Sequence, residues 1–291
     1  MHDGGRTSGR RVSELLKYDT RFSVKRGYLW SWHNEPINRK PFAKGFDRIF
    51  THEDSADPRV FPAPPILDWW IGKSWDELAT MEPTTKKRDL SVIASAKSLI
   101  PGHQQRHEFV SLIEDSLPEF DVFGEGRSQS LADKWEGLAS YKYSVAIENT
   151  SKADYWTEKI ADCYLSFTVP IYYGATNIGE YFPEDSFVWL PLDDPANALE
   201  TIRSVVAEDA WESRLPALQE ARRLVLEKYS VFAQLSRRIQ AEFNKIRLAP
   251  TVSVRVEGRR IRPKGWVRHA GLTKNIEVQC SRLLSRISKS F

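Results

Sequence analysis

The sequence predicts an α/β protein built on parallel sheet, and three observations predict it. Strand, helix and strand patterns alternate between Tyr141 and Leu190, a charged, proline-bearing break divides the chain at residues 82–89, and consecutive amphipathic helices follow Pro195. In the central stretch, Tyr143, Val145 and Ile147 alternate with Ser144 and Ala146 until Glu148, Asn149 and Thr150 restore polarity, so a strand ends at a polar mouth. Asp154 reads as the N-cap of the next helix, with Thr157, Glu158 and Lys159 in its first turns and Ile160, Cys163, Tyr164 and Phe167 on its apolar face. Val169 to Tyr173, closed by Gly174, and Phe187 to Leu190 are the strands after it. Parallel strands joined in this way place a ligand crevice at their carboxyl ends.

Taken in order, residues 1–23 are polar and rich in Gly, Ser and Arg, and are expected to be poorly ordered. Gly27 to Trp32 reads as a strand running into the loop HNEPINRKP, where Pro36 excludes both helix and ladder. Phe46 to Thr51 is a further strand, and Trp69, Trp70 and Trp75 cluster near Gly72 as packing between layers or as a sugar-stacking platform. Residues 24–81 thus form a first, small α/β unit, 82–89 a linker, and 90–250 a second unit. The second unit opens with a buried strand, Leu90 to Ala94, continues through a helix bearing Phe109, Val110 and Ile113 to a strand at Phe120 to Phe123, and closes with helices at 195–206, 211–228 and 231–246.

The composition sets bounds. Of 291 residues, 41% are hydrophobic, enough for a core, and two cysteines give no disulfide framework, so a reducing compartment is expected. No apolar run approaches a membrane span and the N-terminus lacks the core of a signal peptide, so a cytoplasmic protein is expected. The net charge of +3 is unevenly distributed. Residues 251–291 form a basic tail in which Arg282, Leu283, Leu284, Arg286, Ile287 and Phe291 alternate cations with apolar side chains, a pattern suited to an anionic membrane surface on the inner face or to a solvated tail. No nucleic-acid reader motif accompanies that charge.

The segment ENT, four residues, YWTEKI, then the strand TVPIYYG and FPEDSF resembles the donor-binding signature of the family 10 glycosyltransferases, the α-1,3/4-fucosyltransferases. Weaker similarity extends from about Trp30 to about Ile239. The resemblance implies a GT-B-like fold of two Rossmann-like domains, here with the N-terminal one shortened, and an inverting transfer of fucose from GDP-β-L-fucose to a glycan hydroxyl. A non-catalytic nucleotide-sugar or carbohydrate binding relative with an incomplete acceptor domain is the alternative, and a transferase of another nucleotide sugar a third.

Such a donor carries a diphosphate whose charge grows as the glycosidic bond breaks, which calls for fixed cations and helix N-termini. By the resemblance, Arg106 and Lys159 meet the pyrophosphate, Glu158 meets the donor's sugar or ribose hydroxyls, and Asn149 and Tyr155 lie near the nucleotide, with core packing as the other reading of Tyr155. Glu148 either lines the site or ends a strand as a cap acceptor, whereas Lys142, at the strand's start, is structural. The accepting hydroxyl must lose a proton. The resemblance assigns that proton to Glu35 in the N-E-P-I-N loop, with Asp47, Glu53 and Asp54 as substitutes. No Asp-x-Asp pair occurs, and His103 and His107 lack the companion acid of a zinc helix, so no cofactor is required, although a divalent ion on the diphosphate would stimulate.

Overall fold

The computed structural model describes residues 19–24, 28–33, 46, 48–64, 71–94, 101–124, 127, 129–245 and 254–257. Two five-stranded sheets organise them. The first contains β1 (Asp19–Val24), β2 (Tyr28–His33), β3 (Arg48–Thr51), β4 (Val60–Pro62) and β10 (Val254–Glu257), in the order β10-β1-β2-β3-β4. β2, β3 and β4 run parallel, while β1 pairs antiparallel with both β2 and β10. The second contains β5 (Arg88–Ile93), β6 (Asp121–Phe123), β7 (Tyr141–Ile147), β8 (Val169–Tyr173) and β9 (Val188–Trp189), in the order β6-β5-β7-β8-β9 with every pair parallel. The expected α/β class with parallel sheet is therefore what the chain adopts.

The second sheet is central because of what covers it. Every residue of β8, and all of β7 except Lys142, is buried, as in a parallel strand covered on both faces. α3 (Glu158–Leu165) buries Ile160, Cys163, Tyr164 and Leu165. α2 (Pro101–Ser116) contributes Phe109, Val110 and Ile113, and α4 (Pro195–Glu208) contributes Leu199 and Ile202 to the same core. α5 (Trp211–Leu224) runs into one wide π turn, Val225–Tyr229, so it ends earlier than the sequence pattern implies. α6 (Val231–Lys245) follows. Hydrophobic burial of this kind stabilises by roughly 25 cal/mol per Å² of apolar surface, which makes these side chains the main support of the fold.

Several boundaries differ from the sequence expectation, each for a packing reason. β1 begins at Asp19, inside the segment expected to lack order, because it finds partners in β2 and β10. β10 itself lies in the segment read as a tail, and the remainder of that tail, residues 251–253 and 258–291, is outside the described residues. α1 (Trp75–Ala79), expected with the first unit, packs on the second: Leu78 and Ile71 are fully buried in its core and Trp75 Nε1 donates to Leu226 O at 3.4 Å. The guanidinium of Arg222 secures the junction by donating to Leu78 O and to Leu165 O. Nor is 82–89 a free linker. Lys86 is buried, its ammonium donates to Ala139 O, Ser166 O and Thr168 Oγ1 at 2.9, 2.7 and 3.2 Å, and β5 starts at Arg88. α6 crosses back to the first sheet, where Arg238 Nη2 donates to Pro62 O at 3.1 Å and its guanidinium lies over Phe50.

Candidate functional site

Glu148 stands one residue past β7 and extends its ladder, donating its N–H to Tyr173 O at 2.8 Å. Its side chain is fully buried, a costly place for a carboxylate unless donors converge on it. They do: Thr157 N donates at 2.7 Å, Thr157 Oγ1 lies 2.9 and 2.8 Å from the two carboxylate oxygens, and Lys159 Nζ donates at 2.9 Å. Thr157 is the N-cap of α3, its hydroxyl accepting from Lys159 N at 3.4 Å and from Lys159 Nζ at 3.1 Å. Asp154, expected in that capping role, instead lies three residues upstream in a left-handed conformation, φ 64°. Asp154 Oδ1 accepts from Asn177 Nδ2 at 2.8 Å and from Tyr181 Oη at 2.5 Å. Gly174 follows β8 directly, and any Cβ there would overlap Tyr172 Oη and Glu148 Cγ, so only glycine leaves this carboxylate its place.

Arg106 reaches the same mouth from α2. It is 6% exposed and its Nη1 donates to Asn149 Oδ1 at 2.6 Å, which joins the loop after β7 to the helix after β5. Burial lowers its pKa while the carboxylates of Glu148 and Glu158 oppose that shift. Lys159 also pays for burial, but Glu148 and then Glu158 hold its ammonium well above the ordinary lysine value. Burial would raise the Glu158 carboxyl, yet Lys159 and Lys134 outweigh it and hold the group down at about 2. The Lys159–Glu158 contact is long, 3.8 Å, so the close partner of Lys159 is Glu148, as two adjacent helical residues pointing apart would require. Beneath them Lys134 Nζ pairs with the buried Asp162 at 2.9 Å. The structure thus gathers Arg106, Glu148, Asn149, Glu158 and Lys159 at the carboxyl ends of parallel strands, with Glu148 as the buried acceptor that holds Lys159 and the α3 N-terminus.

Tyr155 belongs to the same loop, but its ring is fully buried and faces His52 with centroids 5.0 Å apart, so it is packed, not open for stacking. His52 follows β3 directly, so this ring pair links the carboxyl end of the first sheet to the loop before α3. Lys152 Nζ and Glu53 Oε1 add a 3.7 Å ion pair across the same junction. Glu53 and Asp54 border a cavity of about 330 Å³ with Ser55, Ala56, Val60 and Pro62. Glu35 and Asp47 lie outside the described residues, as do Trp69 and Trp70. Among the described residues, no group of three or more His, Cys, Asp or Glu side chains is placed to hold a metal ion, and no helix is long and apolar enough to cross a membrane.

Residues 84–209, which include this constellation, match the family model described as Glycosyltransferase family 10 (fucosyltransferase) C-term. That match spans a little under half of the chain. An α-(1,3)-fucosyltransferase, FucT, of Helicobacter pylori is 42% identical over 59 residues, 20% of this chain and 12% of its own length. A fucosyltransferase-like protein of Arabidopsis thaliana is 31% identical over 118 residues, 40% of this chain and 23% of its own length. The human 3-galactosyl-N-acetylglucosaminide 4-α-L-fucosyltransferase FUT3 is 27% identical over 171 residues, 56% of this chain and 45% of its own length. The chain therefore spans less than half the length of each of these relatives. A solved α1,3-fucosyltransferase with GDP-fucose aligns at a TM-score of 0.46 and 22% identity over 64% of this chain and 65% of that one.

Two parts of this constellation and its surroundings were not legible beforehand. Thr157 lies inside the T-E-K signature, and only the structure shows that it couples Glu148 to Lys159. His52 stands before the acids Glu53 and Asp54 with no signal of burial in the sequence, yet it is 6% exposed.

Proposed function

We propose that the chain binds GDP-β-L-fucose at the carboxyl ends of β5, β7 and β8 and transfers fucose, with inversion, to a glycan hydroxyl in α-1,3 or α-1,4 linkage. The observation that carries this reading is the convergence of Lys159, held by Glu148 and Thr157, with Arg106, held by Asn149, at the N-terminus of α3. Two cations and a helix N-terminus suit a diphosphate leaving group, whose charge increases in the transition state. Because Glu148 fixes Lys159 before any ligand arrives, little ordering cost is left for the binding step. Glu158, ionised beside Lys159, is the acceptor proposed for a ribose or sugar hydroxyl.

In this reading Glu35, two residues past the end of β2, takes the proton of the attacking hydroxyl, and direct displacement from a β-linked donor yields the α-linked product. Calorimetric titration with GDP-fucose, GDP-mannose and UDP-sugars tests the donor. Arg106→Ala and Lys159→Ala are each expected to weaken GDP binding by roughly 10- to 100-fold, the worth of a charge-assisted phosphate contact. A variant that binds GDP as tightly as the unaltered protein removes that residue from the diphosphate. Glu35→Gln should leave donor affinity intact and lower transfer by about 100-fold or more.

A further inference from the structure

His52 is a buried polar group that the site described above leaves unexplained; the indole N–H of Trp156 is another, but it is a donor alone, whereas the imidazole holds both a donor and an acceptor. It is 6% exposed, and neither Nδ1 nor Nε2 has a hydrogen-bond partner, whereas the neighbouring buried polar side chains Glu148, Thr157 and Arg106 are all bonded. An imidazole without partners loses its hydration on folding with nothing in return, so a position that keeps one needs a reason beyond packing. Its location supplies the reason. His52 leaves the carboxyl end of β3, the middle member of the three parallel strands of the first sheet, and its ring faces Tyr155, which stands two residues before the N-cap Thr157. It therefore lies where the first sheet meets the donor-binding loop, one residue before Glu53, which lines the cavity with Asp54 and Ser55.

We propose that His52 is a substrate-contacting residue, whose imidazole exchanges a hydrogen bond with a sugar hydroxyl brought between the end of β3 and the β7–α3 loop. The inference rests on the donor reading above and adds a residue to it. The charged groups facing the ring are Glu53, Lys152 and Asp154. Burial, assisted by Lys152 and opposed by Glu53 and Asp154, lowers its pKa, so at neutral pH the ring has one N–H to donate and one nitrogen to accept. A hydroxyl, itself both donor and acceptor, matches that pair better than a phosphate does.

Two variants and two ligands test the assignment. His52→Phe keeps an aromatic ring against Tyr155 and removes both nitrogens, and His52→Gln restores an amide donor and acceptor. GDP affinity should stay within about twofold of the unaltered protein in both, and His52→Phe should melt at the same temperature or higher, since an orphaned polar group has been replaced by an apolar one. If the hydroxyl belongs to the donor sugar, His52→Phe binds GDP-fucose about tenfold more weakly while GDP is unaffected. If it belongs to the acceptor, donor binding is retained and the acceptor KM rises about tenfold. In either case His52→Gln recovers part of the loss. Equal GDP-fucose affinity and acceptor KM in His52→Phe overturn the proposal. So does a weakening that falls equally on GDP and comes with a lower melting temperature, because that marks a packing role. An unaltered protein that binds no GDP-sugar at all fails the donor reading first, and this inference with it.

Discussion

The two ends of the second sheet are both rich in charge, and they use it differently. At the amino end, Lys86 donates to three oxygens, Arg88 Nη1 reaches Asp121 Oδ2 at 2.6 Å, and Lys142 lies 2.7 Å from Asp209 and 3.3 Å from Asp89. Each cation there meets its own acceptors, and the result is a closed strand end. At the carboxyl end, Arg106, Lys159, Glu148 and Glu158 share one electrostatic neighbourhood in which one carboxylate is wholly buried and the cations face a common loop. Cations that each meet their own acceptors make a scaffold, whereas charges that crowd around one mouth leave attraction over for a ligand.

The largest expected effect sharpens this contrast at Glu148. Glu148→Ala leaves the Lys159 ammonium and Thr157 N without their acceptor, and should cost about 3 kcal/mol of stability, together with a clear loss of GDP affinity. Urea unfolding and calorimetry on the same sample check both. Lys86→Met, at the other end, should cost about 2 kcal/mol through the carbonyls of Ala139 and Ser166, which lose the ammonium as donor, but leave GDP affinity unchanged. A fall in GDP binding in Lys86→Met would show that the two ends are not independent.

A smaller effect lies in the pH dependence. The Glu158 carboxyl is held at about 2, below its ordinary value of 4.5, so its contribution to stability is present above pH 4.5 and is lost as pH falls toward 2. Lys159, held above its ordinary value of 10.5, contributes stability that is present below that pH and is lost only as pH rises through the higher folded value. Glu158→Gln should therefore flatten the acid limb of a stability profile and leave the neutral region little changed. The smallest effect is Lys142→Ala. It removes a partly exposed pair at the amino end, should cost about 0.5 kcal/mol, and should leave donor binding alone. A binding loss in that variant comparable to that of Lys159→Ala would erase the contrast between the two ends.

By itself, the sequence determined the parts that depend on local pattern. β7, α3, β8 and β9 follow from alternation and helical spacing between Tyr141 and Leu190, and the polar mouth at Glu148 and Asn149 follows from where the apolar run stops. The family signature in the same stretch named Lys159 and Glu158. Tertiary structure decided the rest, because the deciding partners are remote in sequence. β1 has its neighbour β2 on one side but β10, more than two hundred residues later, on the other, and that second pairing leaves no local periodicity to read. Trp75 and Leu78 look the same whether they face one unit or the other, and only the presence of Leu226 and Arg222 places them on the second. Glu148 became an acceptor and not a lining residue because nine positions on Thr157 turns its N–H and hydroxyl back toward it. His52 became a candidate only when burial deprived its ring of water and the fold supplied no donor or acceptor in return, a balance between desolvation and bonding that three-dimensional packing alone decides.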